Sequence, residues 1–239
     1  MNPVEELRRR LRECPLVAII RGVTPGEAEA IGEAIFEAGI RIIEVPLNSP
    51  DPLASIERLA KRFGEGALIG AGTVLEAADV ARVRNAGGRV IVSPNTFEPV
   101  IEAAAAASMV SLPGFFTPSE AFTALRAGAT GLKLFPAEGA SPAVVKAQRA
   151  VLPKDLPLLV VGGISPGNMQ PWLDSGAQGF GLGSGLYKPG QSAQETATKA
   201  RAYIEGLRGI SALEGTEIPL PEREGSGVGP AKPAETRTS

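Results

Sequence analysis

The feature that most constrains the fold is a regular alternation of short apolar runs with helix-like segments along most of the chain. The runs are hydrophobic at consecutive positions, which is typical of strands buried on both faces of a parallel sheet. Proline marks most of the predicted helix starts, as in Thr24-Pro25 and Ser165-Pro166. The predicted strands cover residues 16–20, 41–46, 67–71, 89–93, 109–112, 131–135, 158–161 and 178–182.

A weak internal repeat supports one architecture. The repeated dipeptides, each closing a helix and preceding a strand, are Ala38-Gly39, Ala86-Gly87, Ala127-Gly128 and Ser175-Gly176. Their glycines suit left-handed C-caps, and their spacings of 48, 41 and 48 residues correspond to two strand–helix units each. Eight such units predict a single (β/α)8 TIM barrel in the α/β class. An open doubly wound sheet is the alternative, although no G-x-G-x-x-G follows the first strand.

The two ends of the chain differ from this pattern. The charged stretch from Glu5 to Arg12 predicts a short N-terminal helix lying across one end of the core. From Ser211 onward the composition changes to Gly, Pro, Glu, Ser and Thr without an aromatic residue, which is typical of a disordered tail. We therefore predict one barrel domain over residues 1–210 and a low-complexity tail over 211–239.

Composition argues against several classes of function. The chain has no histidine and one cysteine, Cys14, so it lacks the usual general base of triad hydrolases and the usual ligands of zinc. A formal net charge of −2 argues against general binding to nucleic acid or to anionic membranes. The N-terminus has no signal-peptide pattern and no apolar run approaches membrane-spanning length, so we expect a cytoplasmic protein.

Lys133 is the strongest candidate for chemistry, because it interrupts the apolar run Gly131-Leu132-Lys133-Leu134-Phe135-Pro136. Burial disfavours the ammonium form and lowers the pKa, which leaves a neutral amine able to attack a carbonyl and form a Schiff base. No other lysine of the chain lies in such a run. The alternative is a lysine at an exposed strand end, neutralised by a partner from elsewhere in the fold.

Glu44 is the second candidate, near the end of the predicted strand at residues 41–46. It shares a strand face with Ile42 and Pro46, where a carboxylate is costly. One hypothesis is a proton shuttle that removes and returns protons around a Schiff base. The other is a structural salt bridge between Glu44 and Lys133 with no chemistry.

Further candidates follow the ends of other strands, where the active sites of such barrels lie. Arg21 directly follows the first strand, and its guanidinium suits a carboxylate or phosphate, or else a surface ion pair. Gly70-Ala71-Gly72-Thr73 combines small residues, which let a ligand approach the backbone, with a hydroxyl that can donate to a carboxylate.

Two glycine-rich loops, Gly162-Gly163-Ile164-Ser165 and Gly183-Ser184-Gly185, follow the last two predicted strands. In barrels of this kind these loops commonly hold a phosphate through backbone N–H groups, with help from the N-terminus of a short helix. Two ordinary tight turns are the alternative.

From about Pro15 to Gly206 the chain resembles the class I 2-keto-3-deoxy-6-phosphogluconate/galactonate aldolase family. The motifs that carry the resemblance are Ile19-Ile20-Arg21-Gly22, Glu44-Val45-Pro46-Leu47-Asn48-Ser49-Pro50, Gly70-Ala71-Gly72-Thr73-Val74, Ser93-Pro94-Asn95, Leu132-Lys133-Leu134-Phe135-Pro136 and Val161-Gly162-Gly163. The resemblance implies a (β/α)8 homotrimer that needs no metal or organic cofactor. Its expected ligands are pyruvate and a phosphorylated 2-keto-3-deoxy sugar acid.

The same resemblance implies the roles of individual residues. Lys133 would form the pyruvate Schiff base, Glu44 would move the protons and Thr73 would help hold the pyruvyl carboxylate. Residues implied to line the substrate site or bind phosphate are Arg21, Val161, Gly162, Gly163, Gly183 and Ser184.

Two departures distinguish branches of the family. Phosphogluconate enzymes usually carry arginine in the loop after the second strand and threonine before the Gly-Gly pair, where this chain has Leu47-Asn48-Ser49-Pro50 and Val161. Both departures resemble the phosphogalactonate branch. We therefore expect cleavage of 2-dehydro-3-deoxy-6-phosphogalactonate, with the gluconate epimer as the alternative. Two alternatives of another class are a non-covalent isomerase or epimerase using Glu44 as base, and a non-catalytic phosphosugar-binding barrel.

Overall fold

The computed structural model describes residues 2–214, with side chains described to residue 210. The last helix runs to Glu214, so the tail predicted for 211–239 begins within its final turn and otherwise lies outside the described residues. None of the helices in the described part is both long and apolar enough to cross a membrane.

Within residues 2–214, nine parallel strands form one sheet that closes nearly completely into a barrel, in the order β5-β4-β3-β2-β1-β9-β8-β7-β6. The strands are β1 Leu16–Ile19, β2 Ile42–Pro46, β3 Leu68–Gly72, β4 Val90–Val92, β5 Val110–Leu112, β6 Gly114–Phe115, β7 Leu132–Leu134, β8 Leu158–Val161 and β9 Gly179–Leu182. The predicted α/β barrel and the position of each predicted strand are confirmed.

The ninth strand arises because the chain continues past the fifth predicted strand, residues 109–112: β5 lies within that strand, and the short strand β6, which was not predicted, follows after Pro113. Proline has no N–H to donate to a sheet ladder. The chain nevertheless continues as one wall of the barrel, since Gly114 N–H donates to Ser93 O (3.0 Å) and Lys133 N–H donates to Pro113 O (3.0 Å). These bonds lie where β5 and β6, the two ends of the strand order, meet at Pro113.

Helices cover the outside of this barrel and, with one exception, lie in the predicted places. They are α1 Pro3–Glu13, α2 Pro25–Glu37, α3 Pro52–Phe63, α4 Ala77–Asn85, α5 Glu98–Ala106, α6 Pro118–Arg126, α7 Pro142–Arg149, α8 Gln170–Asp174 and α9 Ala193–Glu214, with short 3-10 turns at Gly64–Gly66 and Ala137–Gly139. Thr24 and Thr117 both form capping boxes with a glutamate three residues later.

The helix predicted near Ser165-Pro166 begins later, at Gln170, which corrects the sequence-based start. The Asn168 side chain accounts for the difference: it accepts from Ser165 N–H (2.9 Å) and donates to Gly163 O (2.8 Å). Asparagine competes in this way with helical backbone bonding. The segment before α8 is therefore a turn.

The four repeated glycines all have positive φ, as predicted for left-handed C-caps: +110° at Gly39, +84° at Gly87, +98° at Gly128 and +100° at Gly176. The residue after each one donates its N–H to a carbonyl five residues earlier, at distances of 2.9–3.3 Å. This is the six-to-one bond of the Schellman motif. Each repeat thus ends a helix and turns the chain back into a strand.

The N-terminal helix α1 closes one end of the barrel. Leu7 and Leu11 of this helix join the cluster of side chains that fills the barrel interior, together with Val17, Ile42 and Leu159. Full burial of one such leucine is worth about 2–3 kcal/mol. Because α1 occupies the N-terminal end, only the C-terminal end is left to admit a ligand.

Candidate active site

Glu44 and Lys133 face each other inside the barrel. Glu44 lies on β2 and Lys133 on β7, and both line one small cavity whose other walls are apolar side chains and Gly181. Glu44 is 3% exposed and Lys133 is 8% exposed. The structure therefore excludes the alternative of a lysine at an exposed strand end.

The two-residue period of the strands explains why both side chains point inward. Glu44 follows Ile42 by two residues, and Ile42 belongs to the interior cluster. Leu132 and Leu134, on either side of Lys133, pack in the outer core under the helices. Lys133 must consequently face the barrel axis.

Burial shifts both groups toward neutrality. Desolvation raises the pKa of Glu44 to about 7, an effect that the charges of Lys133 and Arg21 partly oppose. Desolvation also lowers the pKa of Lys133 to about 8; the Glu44 carboxylate opposes this shift and the Arg21 guanidinium adds to it. The two pKa values, ordinarily 4.5 and 10.5, are thus brought close together.

Lys133 and Glu44 do not form an ion pair in the described part of the chain, and Glu44 Oε2 is buried without a hydrogen-bond partner. The structural salt bridge considered from the sequence is therefore not what the fold contains. Lys133 Nζ instead lies 4.9 Å from the centroid of the Phe135 ring. A cation–π contact of this kind favours the charged amine modestly.

Gly72 leaves space for the side chain of Glu44 on the neighbouring strand. A Cβ atom at this position would overlap the Glu44 carboxylate, and one at Gly70 would overlap the backbone of Val90. The small residues of β3 therefore make room for Glu44 and for a neighbouring strand. That they also let a ligand approach the backbone remains a prediction.

Arg21 and Thr73 lie together at the mouth of the barrel, with Asn48 beside them. Arg21 donates to Asn48 Oδ1 (2.5 Å) and to Thr73 Oγ1 (3.3 Å). Within residues 2–210, Arg21 has no carboxylate partner, so the surface ion pair considered from the sequence is absent. Thr73 has a φ of +54°, a conformation that costs a β-branched residue about 1–3 kcal/mol and occurs mostly at functional sites.

The two glycine-rich loops lie at the same end of the barrel, directly after β8 and β9. In the described residues, the backbone N–H groups of Gly163, Ser184 and Gly185 have no protein acceptor. Unpaired N–H groups of this kind suit an anion. The short helix expected to help is not adjacent, because α8 begins only at Gln170.

Three further residues belong to this region, although sequence reasoning did not assign them a role. Asn48 binds Arg21, Phe135 carries the ring beside Lys133, and Glu138 packs its carboxylate against Gly162. Each lies within five residues of a predicted strand end, and Asn48 and Phe135 also belong to the motifs quoted above, which are the sequence signals that could have identified them. Val161, by contrast, was predicted and lines the same cavity as Lys133.

Comparison with known proteins gives a consistent result. The family described as "Aldolase: KDPG and KHG aldolase" matches residues 7–200. The chain is 52% identical over 192 residues to the "Probable 2-dehydro-3-deoxy-6-phosphogalactonate aldolase" of Rhizobium meliloti (strain 1021), covering 80% of this chain and 91% of the relative. It is 46% identical over 194 residues to the "2-dehydro-3-deoxy-6-phosphogalactonate aldolase" of Escherichia coli (strain K12), covering 81% and 95%.

A solved structure described as "Native KDPGal structure" superposes with a TM-score of 0.82 at 44% identity. The superposition covers 84% of this chain and 97% of that chain. The likeness therefore extends over most of both chains.

The electrostatics of the cavity predict opposite pKa shifts in two variants. The rate at which acetic anhydride acetylates Lys133, followed by peptide mass spectrometry as a function of pH, should have its midpoint near pH 8. Exposed Lys61 serves as the reference for the reactivity of the reagent. Glu44→Gln should lower this midpoint, because the carboxylate raises the pKa of Lys133. Arg21→Ala should raise it, because the guanidinium lowers that pKa. A wild-type midpoint near 10.5 would contradict the buried environment described above.

Proposed function

The chain belongs to the KDPG and KHG aldolase family, and on this premise we propose that it is a class I aldolase that cleaves 2-dehydro-3-deoxy-6-phosphogalactonate to pyruvate and D-glyceraldehyde 3-phosphate. The observation that carries the proposal is the amine of Lys133 and the carboxylate of Glu44 in one apolar cavity. A desolvated amine is the nucleophile that Schiff-base chemistry needs.

The first half of the proposed reaction belongs to Lys133. Its neutral amine attacks the C2 ketone of the substrate, and loss of water with uptake of one proton gives a protonated imine. The positive imine nitrogen accepts the electron pair of the C3–C4 bond when that bond breaks. A pKa lowered to about 8 leaves an appreciable fraction of the amine neutral near pH 7–8.

Glu44 completes the reaction by moving one proton in each direction. As an ionised carboxylate it accepts the proton of the C4 hydroxyl while glyceraldehyde 3-phosphate leaves. The enamine that remains takes a proton back at C3, and water then releases pyruvate from Lys133. A carboxyl group with a pKa of about 7 is populated in both forms at neutral pH, as a shuttle requires.

The rest of the substrate suits the surrounding groups. We assign the substrate carboxylate to Arg21 and Thr73, since an unpaired guanidinium and a hydroxyl both donate to carboxylates. We assign the phosphate to the loops that contain Gly162, Gly163, Gly183 and Ser184, on the basis of their unpaired N–H groups.

Trapping with borohydride in the presence of pyruvate tests the covalent step. We expect a reduced pyruvate adduct on Lys133 and aldol cleavage in the wild type, and the loss of both, by about a thousandfold or more, in Lys133→Met. Lys146→Met, on the exposed face of α7, is the matched control and should behave as the wild type. Turnover without an adduct would favour a non-covalent isomerase or epimerase, and binding without turnover would favour a non-catalytic barrel.

The substrate branch depends on Val161. The wild type should give the higher kcat/KM with the galactonate epimer, because valine offers no hydrogen bond to the C4 hydroxyl of the gluconate epimer. Val161→Thr should shift the ratio of the two kcat/KM values toward gluconate by about tenfold, the worth of one added hydrogen bond. Steady-state kinetics on both epimers measure this ratio, and a wild-type preference for gluconate would refute the assignment.

We further propose a homotrimer. Four large apolar side chains, each 37–47% exposed, lie on α6 and on the loops that follow β3, β4 and β6: Leu75, Phe97, Phe116 and Phe122. Large apolar side chains that are exposed in one chain suit burial in an interface between subunits.

Light scattering should therefore give about 74 kDa, three times the chain mass of 24.7 kDa. Phe122→Asp should shift the population toward monomer, because burying a charge in an apolar interface is unfavourable. Val151→Asp, at an exposed valine between α7 and β8, is the control and should leave the mass unchanged. A monomeric wild type would exclude the trimer.

A further inference from the structure

Asn48 and Ser49, which follow β2, accept hydrogen bonds from Arg21 and Gly22, which follow β1. Asn48 Oδ1 accepts from Arg21 Nη1 (2.5 Å), and Ser49 Oγ accepts from Gly22 N–H (2.9 Å). The first bond fixes the end of the Arg21 side chain, and the second fixes the backbone beside it. This two-point clamp joins neighbouring strand ends at the mouth of the cavity.

The clamp leaves the charge of Arg21 uncompensated. Both acceptors that the guanidinium contacts, Asn48 Oδ1 and Thr73 Oγ1, are neutral. A guanidinium has more N–H donors than these two contacts use, and the remaining donors can bind a carboxylate in parallel. An aspartate at position 48 could orient the same group but would neutralise it.

We propose that Asn48 is a positioning residue for the aldol reaction, holding the Arg21 guanidinium where it receives the carboxylate of the 2-keto acid. The inference rests on the proposed function. It assigns a role to the amide of Asn48 in the loop that follows β2. The amide supplies no charge of its own and instead orients a cation from the neighbouring strand.

The position of Arg21 relative to the reacting groups supports this role. The positive charge of Arg21 lowers the pKa values of both Lys133 and Glu44, so the guanidinium lies within electrostatic range of the amine. In a Schiff base with pyruvate, the carboxylate is bonded to the carbon that becomes attached to the lysine nitrogen. A cation held near that nitrogen is therefore placed for this carboxylate.

The experiment compares pyruvate with methyl pyruvate, which keeps the ketone but carries no negative charge. Each forms an imine with the Lys133 amine with loss of water, and cyanoborohydride reduces the imine to a stable amine. Trapping at a range of concentrations gives the half-saturating concentration of each probe. The variants are Asn48→Ala, Asn48→Asp, Arg21→Ala and the double variant Arg21→Ala/Asn48→Ala, with exposed Asn85→Ala as the matched control.

For pyruvate, we expect the half-saturating concentration to rise about tenfold in Asn48→Ala and about a hundredfold in Asn48→Asp, where the added carboxylate cancels the guanidinium charge. For methyl pyruvate, Asn48→Ala should stay within about twofold of the wild type. The double variant should match Arg21→Ala within about twofold, because Asn48 acts through Arg21. Asn85→Ala should match the wild type with both probes.

Three results would overturn the proposal. Equal weakening of pyruvate and methyl pyruvate would show that Asn48 only supports the loop. Additive losses in the double variant would show that Asn48 acts independently of Arg21. Unchanged pyruvate trapping in Asn48→Ala would refute the positioning role while leaving the aldolase function intact, whereas a wild type that traps no pyruvate would refute both.

Discussion

The removal of water from the barrel interior is the constraint on which the site depends. A lysine and a glutamate in water would both be charged, and neither would serve as nucleophile or as two-way proton carrier near neutral pH. Inside the barrel, one physical cause, desolvation, moves the two pKa values toward each other. The α/β architecture therefore contributes to the chemistry directly, since a closed sheet sealed by α1 provides the dry environment.

Much of this arrangement could be predicted from the sequence, because its signals are local. Strands that are buried on both faces are continuous apolar runs, and helices that end in a Schellman motif need glycine at a fixed place, as at Gly39 and Gly176. Lys133 could be identified as a functional candidate from the sequence, because a charged residue inside such an apolar run has few structural explanations. The period of two then placed Glu44 on the same strand face as Ile42 and Pro46, where a carboxylate is costly.

The remainder could not be predicted, because it depends on which strands become neighbours and on their register. Gly72 is small because the Glu44 carboxylate of the adjacent strand occupies the space of its side chain. Asn168 replaces the first turn of a helix by bonding back to Gly163, a competition that the motif Ser165-Pro166 does not reveal. Asn48 resembles any polar loop residue until β1 and β2 are aligned and Arg21 reaches it.

Arg21 is exposed at the mouth of the barrel, and its contacts in the described residues are with neutral groups. A carboxylate partner would have held the guanidinium more tightly, but it would have cancelled the charge that lowers the pKa of Lys133 and that the proposed carboxylate binding requires. An amide and a hydroxyl fix the direction of the guanidinium and leave its field intact. The same reasoning applies to Glu44, whose Oε2 has no hydrogen-bond donor in the described residues. A protein donor there would stabilise the ionised form and lower the pKa of Glu44, whereas the proposed proton transfer needs a carboxyl group that is populated in both forms near neutral pH.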